Sequence, residues 1–283
     1  METKVSSVNK EVIIGHDRPT ALIGERINPT GKKKLAAALQ AGDLGLVCQE
    51  ALAQVKAGAD ILDINVGSSG VDEVSLLPQA VQAVMDTVDV PLCLDSTNPQ
   101  ALEAALKTYR GKPIVNSVNG EEHSLEKILP LVKKYGAAII GLTMDNEGIP
   151  NSPERRVAIA HKIVERAEAL GIPRQDVIID CLAMTVGADS KAGLVVLEAI
   201  RGVKAELGVN QTLGASNISF GMPDRSLLTS YFLAIAIAAG VTCPVADVAR
   251  VRPAVLAADL VLGCDEYARR YITDYRQRQK RPE

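Results

Sequence analysis

The chain of 283 residues has no tryptophan, only two phenylalanines and 3% aromatic residues in all. So few aromatics argue against a surface that stacks nucleic-acid bases. An excess of one charge is missing too, since 31 Lys and Arg face 34 Asp and Glu for a formal net charge of −3. That excludes the basic footprint with which proteins grip nucleic acid or an anionic membrane. The apolar stretch Tyr231 to Ala246 falls short of the ~20 residues a membrane span needs. Gly240 and Pro244 interrupt it, so it reads as a buried helix, a turn and a strand. The opening METKVSSVNKEVIIG lacks the apolar core of a secretory signal. The five cysteines (Cys48, Cys93, Cys181, Cys243, Cys264) are odd in number and never spaced C-x-x-C. A reducing cytoplasm is the expected location.

Several catalytic signatures are absent as well. There is no H-E-x-x-H and no paired Cys/His spacing, so no intrinsic metal is expected. There is no G-x-S-x-G elbow. Gly24…Gly31-Lys32 differs from a phosphate loop in the gap between its glycines and in carrying Lys33 where Ser or Thr belongs. The histidines His16, His123 and His161 are scattered and suit surface or capping roles. Lys32-Lys33-Lys34 reads as a solvated helix start that also suits steering an anionic ligand tail. Gly67-Ser68-Ser69-Gly70 reads as a flexible loop.

What is present is a globular composition, 47% hydrophobic and 23% charged, which excludes a disordered or fibrous chain. Eight short Val/Ile/Leu runs alternate with helical stretches: Ala21–Ile27, Ile61–Val66, Pro91–Asp95, Pro113–Val118, Ala137–Met144, Val177–Ala183, Thr212–Ile218 and Cys243–Val248. The runs are continuously apolar, as strands covered by helices on the sheet's outer face should be. Segments such as Val74–Val84, Leu125–Tyr135 and Val157–Leu170 carry the 3.6-residue period. Asn98-Pro99 and Ser152-Pro153 mark helix starts, and Gly58, Gly136, Gly171 and Gly208 mark stops. Eight βα units predict an α/β fold, a single (β/α)8 TIM barrel occupying residues 1–283 as one domain. Residues 1–20 form an N-terminal extension and residues 264–283 a C-terminal helix and tail. Tyr267, Tyr271 and Tyr275 would make a stripe packing that helix on the barrel, with an interface as the alternative. The final QRQKRPE reads as a solvated tail.

Active sites of such barrels sit at the C-terminal ends of the strands. Here those ends carry Glu25 and Asn28, Asp63 and Asn65, Asp95 and Ser96, Asn116 and Ser117, Thr143 and Asp145, Asp180, Ser216 and Asn217, and Asp247. Any one of them suits a helix cap, Asp95 through its STNP turn for instance. A ring drawn from so many strands points to a ligand. Without Lys, Arg or His, it is not built for phosphate. Carboxylates accept from adjacent N–H groups and carboxamides offer both a donor and an acceptor, which suits the mixed edge of a heterocycle such as a pterin.

At these strand ends IGERIN (Ile23–Asn28), LDINVG (Leu62–Gly67), LCLDST (Leu92–Thr97), IVNS (Ile114–Ser117), IGLTM (Ile140–Met144), IID (Ile178–Asp180) and LGASNIS (Leu213–Ser219) appear in order. Together, from about Ala21 to Leu262, they resemble the pterin-binding methyltransferases that move a methyl group between N5 of tetrahydrofolate and a protein-bound corrinoid. The resemblance implies a dihydropteroate-synthase-like barrel, tetrahydrofolate or 5-methyltetrahydrofolate as substrate, and a homodimer. Cobalamin would be carried by a partner corrinoid protein, since the chain has no cobalt-ligating D-x-H-x-x-G motif. It implies that Asp95, Asn116 and Asp180 grip the pterin edge and that Asp63 and Asn65 stand beside or behind them. Asn217 would hydrogen-bond N5, Gly214 and Ser216 would form the loop beside the ring, and Arg225 would lie near the folate tail. Asn217 and Asp95 are the candidates for catalytic roles.

Two departures, the residues before the first strand run and Phe220 after NIS, favour a methylcorrinoid:tetrahydrofolate methyltransferase of a demethylase system. The alternative is the reverse transfer, from methyltetrahydrofolate to a corrinoid/iron–sulfur protein. Dihydropteroate synthase shares the barrel, but its first-loop and S-R-K motifs are replaced here by NPTGKKKL and GASNIS. A folate-binding module without turnover, and a barrel for another small heterocycle, stay open.

Overall fold

A computed structural model describes residues 1–279. The chain opens with two strands, β1 (Glu2–Ser6) and β2 (Glu11–Gly15), paired antiparallel. The barrel starts with β3 (Ile23–Ile27), followed by α1 (Lys33–Gln40), α2 (Gly45–Ala57), β4 (Ile61–Asn65) and α3 (Glu73–Thr87). It continues through β5 (Leu92–Asp95), α4 (Pro99–Thr108), β6 (Ile114–Asn119), α5 (Glu122–Tyr135), β7 (Ala138–Leu142) and α6 (Pro153–Ala169). The last third holds β8 (Val177–Asp180), α7 (Ala192–Glu206), β9 (Asn210–Thr212), α8 (Arg225–Ala239), β10 (Val245–Ala246), α9 (Val248–Val261) and α10 (Arg269–Gln279).

The eight strands β10-β3-β4-β5-β6-β7-β8-β9 pair in parallel in that order. A bridge between Gly214 and Val245 joins the two ends and closes the (β/α)8 barrel. Local signals fall where the sequence puts them. Asn98 accepts from Gln100 N and Ala101 N at the start of α4, and Ser152 accepts from Arg155 N at the start of α6. Gly58 and Gly136 end α2 and α5 in the left-handed conformation that a side chain resists.

Ile23, Ile61, Cys93, Ile114, Ala138, Ile140, Ile178 and Cys243 form one buried cluster with Val5 and Ile14 of the hairpin. A larger cluster fills the space between strands and helices. The N-terminal extension is thus a hairpin, residues 2–15, packed against the barrel. It is fixed by Asn210 Nδ2, which donates to Thr3 Oγ1 at 2.9 Å and to Ile14 O at 3.0 Å. Ser6 and Lys112 exchange backbone bonds of 2.9 and 3.0 Å, and Tyr109 Oη donates to Ser6 O at 2.8 Å.

Four expectations need correction. The run Thr212–Ile218 is not a strand: β9 starts earlier at Asn210, and Ala215–Ser219 is a 3₁₀ turn. Asn210 and Gln211 look too polar for a buried strand. Yet both are fully buried, because the hairpin and Ile200 O receive their amide donors. The run Cys243–Val248 shrinks to two strand residues, as Val248 already begins α9. The tyrosine stripe does not pack on the barrel. Tyr267 lies in a turn with φ 55° and is 84% exposed, and Tyr275 is 50% exposed. Charges dock α10 instead: buried Asp274 accepts from Arg252 at 3.0 Å and Arg278 at 2.8 Å, and Arg270 pairs with Asp259 at 2.9 Å. Finally, Gln277–Gln279 belong to α10, and the remainder of the supposed tail, residues 280–283, lies outside the described residues.

Helix α8 is only half buried. Leu227, Tyr231 and Ile235 recur at every fourth residue and stand exposed. Of these, Tyr231 borders, with Ala234, Ala238, Ala254 and Val261, an apolar groove of about 520 Å³ between α8 and α9. Among the described residues, no helix is long and apolar enough to cross a membrane.

Candidate active site

Strand register assembles the site. Asn65 lies opposite Asp95, and Asp95 opposite Asn116, so three polar residues share one line across β4, β5 and β6. The ladder runs on from Asn116 through Ile140 to Ile178. Asp180 therefore stands two positions further along, the stagger that a tilted, closed barrel imposes.

Within this group the side chains hold one another. Asn65 Nδ2 donates to Asp95 Oδ2 at 2.9 Å, and Asn65 Oδ1 accepts from Gly67 N at 2.8 Å. Asn116 Nδ2 donates to Asp63 Oδ1 at 3.1 Å. Asp180 Oδ1 accepts from Leu182 N at 2.6 Å. The Asn116–Ser117 peptide is cis. Each contact fixes a rotamer before any ligand arrives, which lowers the ordering cost of binding.

The carboxylates are electrostatically uncomfortable. Burial pushes Asp180 up to about 6, against the bonds it accepts from Leu182 and Gly214. Burial likewise pushes Asp95 up to about 6, and Glu73 adds to this while Asn65 opposes it. Asp63 is raised well above the usual carboxylate range, first by burial and then by the Asp95 charge. Buried carboxylates short of donors are a functional-site signature, because a ligand's N–H groups relieve them.

The turn after β9 supplies the rest. Ser216 Oγ donates to both oxygens of Glu25 at 3.1 Å. Asn217 is exposed at the mouth, with its amide packed over Gly214: a Cβ there would lie 2.9 Å from Asn217 Nδ2. Arg225 Nη2 donates to Ser216 O at 2.9 Å, Nε reaches Ser219 Oγ at 3.3 Å, and the guanidinium lies 5.6 Å from the Phe220 ring centre.

The structure thus gathers Asp63, Asn65, Asp95, Asn116 and Asp180 at the barrel's centre and Gly214, Ser216, Asn217 and Arg225 at its rim. Other ring members serve locally. Asn28 Oδ1 accepts from Thr30 N, and Asp145 closes a turn with Gly148 and pairs with Arg155. Asp95 is no helix cap, since Asn98 has that task. Lys32 is partly buried rather than solvated, its Nζ donating to Arg26 O at 2.6 Å. His123 lies in the first turn of α5, and His161 on α6 contacts Glu206 at 2.9 Å.

Two supporting residues escaped the sequence reading. Arg156 is fully buried and donates to Pro150 O, Cys181 O and Leu182 O at 2.7, 2.7 and 2.9 Å. It holds Leu182 at φ 59°, a conformation costly for leucine, directly beside Asp180. Within PERRVAIAHK an arginine reads as surface charge, so no signal marked it. Glu73 accepts from Ser96 Oγ at 2.5 Å, and in sequence it is merely an acid in a helix's first turn. Among the described residues, no three His, Cys, Asp or Glu side chains are grouped to hold a metal ion.

A (β/α)8 barrel whose strand ends carry this ring defines a class, and residues 24–250 match the pterin binding enzyme family: the chain belongs to it. It is 31% identical over 266 residues to the methylcorrinoid:tetrahydrofolate methyltransferase of Eubacterium limosum, covering 90% of this chain and 96% of that one. It is also 31% identical over 265 residues to methionine synthase of Mycobacterium tuberculosis, spanning 89% of this chain but 22% of the larger protein. Among solved structures, Yersinia pestis dihydropteroate synthase with a pterine–sulfa conjugate superposes with a TM-score of 0.72 at 16% identity. That superposition covers 92% of this chain and 99% of the synthase, a likeness of fold.

Proposed function

We infer that the protein transfers a methyl group between N5 of tetrahydrofolate and a corrinoid borne by a separate protein, in the direction from methylcorrinoid to tetrahydrofolate. The observation that carries this reading is the line Asn65–Asp95–Asn116 with Asp180 beside it, in a chain 31% identical to an enzyme of that name. On this reading one pterin-binding domain does the work. Asp95 and Asp180 accept the pterin's ring N–H and amino protons, and Asn116 presents its carbonyl beside them. Asn65 and Asp63 hold those side chains in place. Asn217 lies over N5, and Arg225 faces the folate tail.

Methyl transfer by direct displacement needs the nitrogen, the methyl carbon and the metal nearly in line at about 3–3.5 Å. The protein's contribution is to fix the ring and stabilise the charge that develops at N5. A corrin is too large for the barrel's interior, so it docks over the open mouth on its own carrier. No metal belonging to this chain takes part in the scheme. A cytoplasmic location fits five free thiols, three of them buried. A homodimer fits the exposed apolar Leu227–Tyr231–Ile235 stripe of α8, a face that a second copy could cover.

The test is methyl transfer from a methylated corrinoid protein to tetrahydrofolate, followed by the cobalt absorbance. Transfer should depend on both substrates and survive a chelator. A chain that binds tetrahydrofolate yet turns over no methyl group in either direction would reduce the function to folate binding.

A further inference from the structure

This inference rests on the methyl-transfer reading and adds the group that handles the proton. When N5 of tetrahydrofolate takes a methyl group, the nitrogen briefly carries both that methyl and its original hydrogen, with a positive charge. The hydrogen must leave as a proton for the neutral product to form. Asn217 offers an amide, which neither gains nor loses a proton near neutral pH. Asp95 and Asp180 are committed to the pterin edge.

Another carboxyl group is bonded to the residue that precedes Asn217. Glu25 sits in an irregularity of the β3–β4 ladder, between Gly24 and Ile27, and its side chain turns across the barrel to Ser216. The Ser216 hydroxyl contacts both carboxylate oxygens at 3.1 Å, and Ser216 immediately precedes Asn217. Glu25, Ser216, Arg225 and Asp247 line a cavity of about 240 Å³ at the rim, open to solvent. A carboxyl, a hydroxyl and an exit for protons therefore stand in sequence next to the amide assigned to N5.

We propose that Glu25 is the acid–base group for N5, exchanging its proton through the Ser216 hydroxyl. In the methylating direction the N5 lone pair forms the new N–C bond while the cobalt–carbon pair stays on cobalt. The N5 proton then passes to Ser216 Oγ as the hydroxyl's own proton passes to the Glu25 carboxylate. The products are neutral 5-methyltetrahydrofolate and the Glu25 carboxylic acid, which releases its proton to the rim cavity. The reverse direction runs the same relay backwards and places a proton on N5 as the methyl departs.

The surroundings suit this task. Burial raises Glu25 above the ordinary carboxylate range, with Asp247 adding to it, so it is a stronger base when ionised. The Ser216 bond and the cations Lys32 and Arg26 oppose the shift and keep the ionised form accessible. Arg26 is itself paired with Glu50 and Asp247, and Arg225 anchors Ser216 through its carbonyl. Asp63, on the far side, senses the Glu25 charge.

The experiment compares wild type with Glu25→Gln, Glu25→Asp, Ser216→Ala and the Glu25→Gln/Ser216→Ala double variant. Calorimetry measures tetrahydrofolate binding. Single turnover with saturating methylated corrinoid protein measures the rate between pH 5 and 8. Glu25→Gln should bind tetrahydrofolate within threefold of wild type and transfer methyl about a hundredfold more slowly, the usual scale of acid–base assistance. Its profile should lose the fall in rate that wild type shows toward acid, and Glu25→Asp should restore that fall and part of the rate. The double variant should be no slower than the slower single variant, as for groups acting in one relay. A Glu25→Gln rate within threefold of wild type with the same profile overturns the proposal, as does a tenfold loss of folate affinity, which would make Glu25 a binding group. A wild-type chain that binds no tetrahydrofolate would instead refute the methyl-transfer reading itself.

Discussion

At the N-terminal end of the barrel, Val5 and Ile14 of the hairpin are fully buried, and Asn210 spends its amide protons on Thr3 and Ile14 O. At the C-terminal end, Asp63 and Asp180 are nearly as buried, and burial raises both above the ordinary carboxylate range. One end spends its amide protons on its own chain, although Asn210 Oδ1 stays buried without a partner, and the other buries carboxylates whose ionised forms a ligand's N–H groups would stabilise. Stability should therefore depend on the hairpin end and recognition on the ring, with little exchange between them.

The largest expected effect breaks the hairpin end. Ile14→Ala should cost about 2–5 kcal/mol of stability through the cavity it leaves. Denaturant melts would register this, while tetrahydrofolate affinity of the folded protein should hold. A loss of affinity in step with stability would mean the two ends are coupled.

Next comes the ring. Asp95→Ala or Asp180→Ala removes a charged hydrogen bond to the pterin, worth on the order of 1.5–3 kcal/mol, or roughly ten- to hundredfold in affinity. The melting temperature should not fall in parallel, because each variant also removes a strained buried charge. Unchanged calorimetric affinity in both variants would sink the pterin assignment.

Smaller again is a split at the rim. Asn217→Ala should slow single-turnover methyl transfer more than it weakens tetrahydrofolate binding, about tenfold more, if its contact strengthens in the transition state. Equal losses would make Asn217 a binding residue alone.

The smallest effect is a pH trend of opposite sign at the two levels. Asp95 and Asp180 titrate near 6 folded and near 3.8 unfolded, so the folded chain binds more protons between those values. Their ionisation destabilises the fold above about pH 6, and that cost disappears as the pH falls toward 4. Wild type should accordingly gain melting temperature on Asp180→Asn between pH 7 and 5. The comparison with that variant cancels surface acids such as Glu122, which ion pairs hold below the usual range and which pull the other way. Folate affinity should fall over the same interval, since N–H donors favour the ionised acids. Affinity rising on acidification would contradict the ring's role.

Much of this was legible in the residues. The alternation of apolar runs with capped helices gave the barrel, and the polar residue closing each run gave the ring, because strand ends and active sites coincide in this architecture. What stayed hidden depended on partners distant in sequence. Asn210 and Gln211 look unlike a strand until the hairpin and Ile200 O are seen to satisfy them. Arg156 looks like surface charge until the carbonyls of Cys181 and Leu182 are found against it. The tyrosine stripe does not pack on the barrel because a left-handed turn at Tyr267 ends the helical period that the spacing assumed.

The hairpin also sets an order in time. Thr3 leaves the ribosome 207 residues ahead of Asn210, its buried partner, and until then the barrel floor that Val5 and Ile14 cover does not exist. Contacts so distant along the chain form late, and the apolar segment that awaits them stays open to other chains. Synthesis of this protein thus contains a vulnerable interval, which ends only when the seventh barrel strand emerges and the first fifteen residues can be put away.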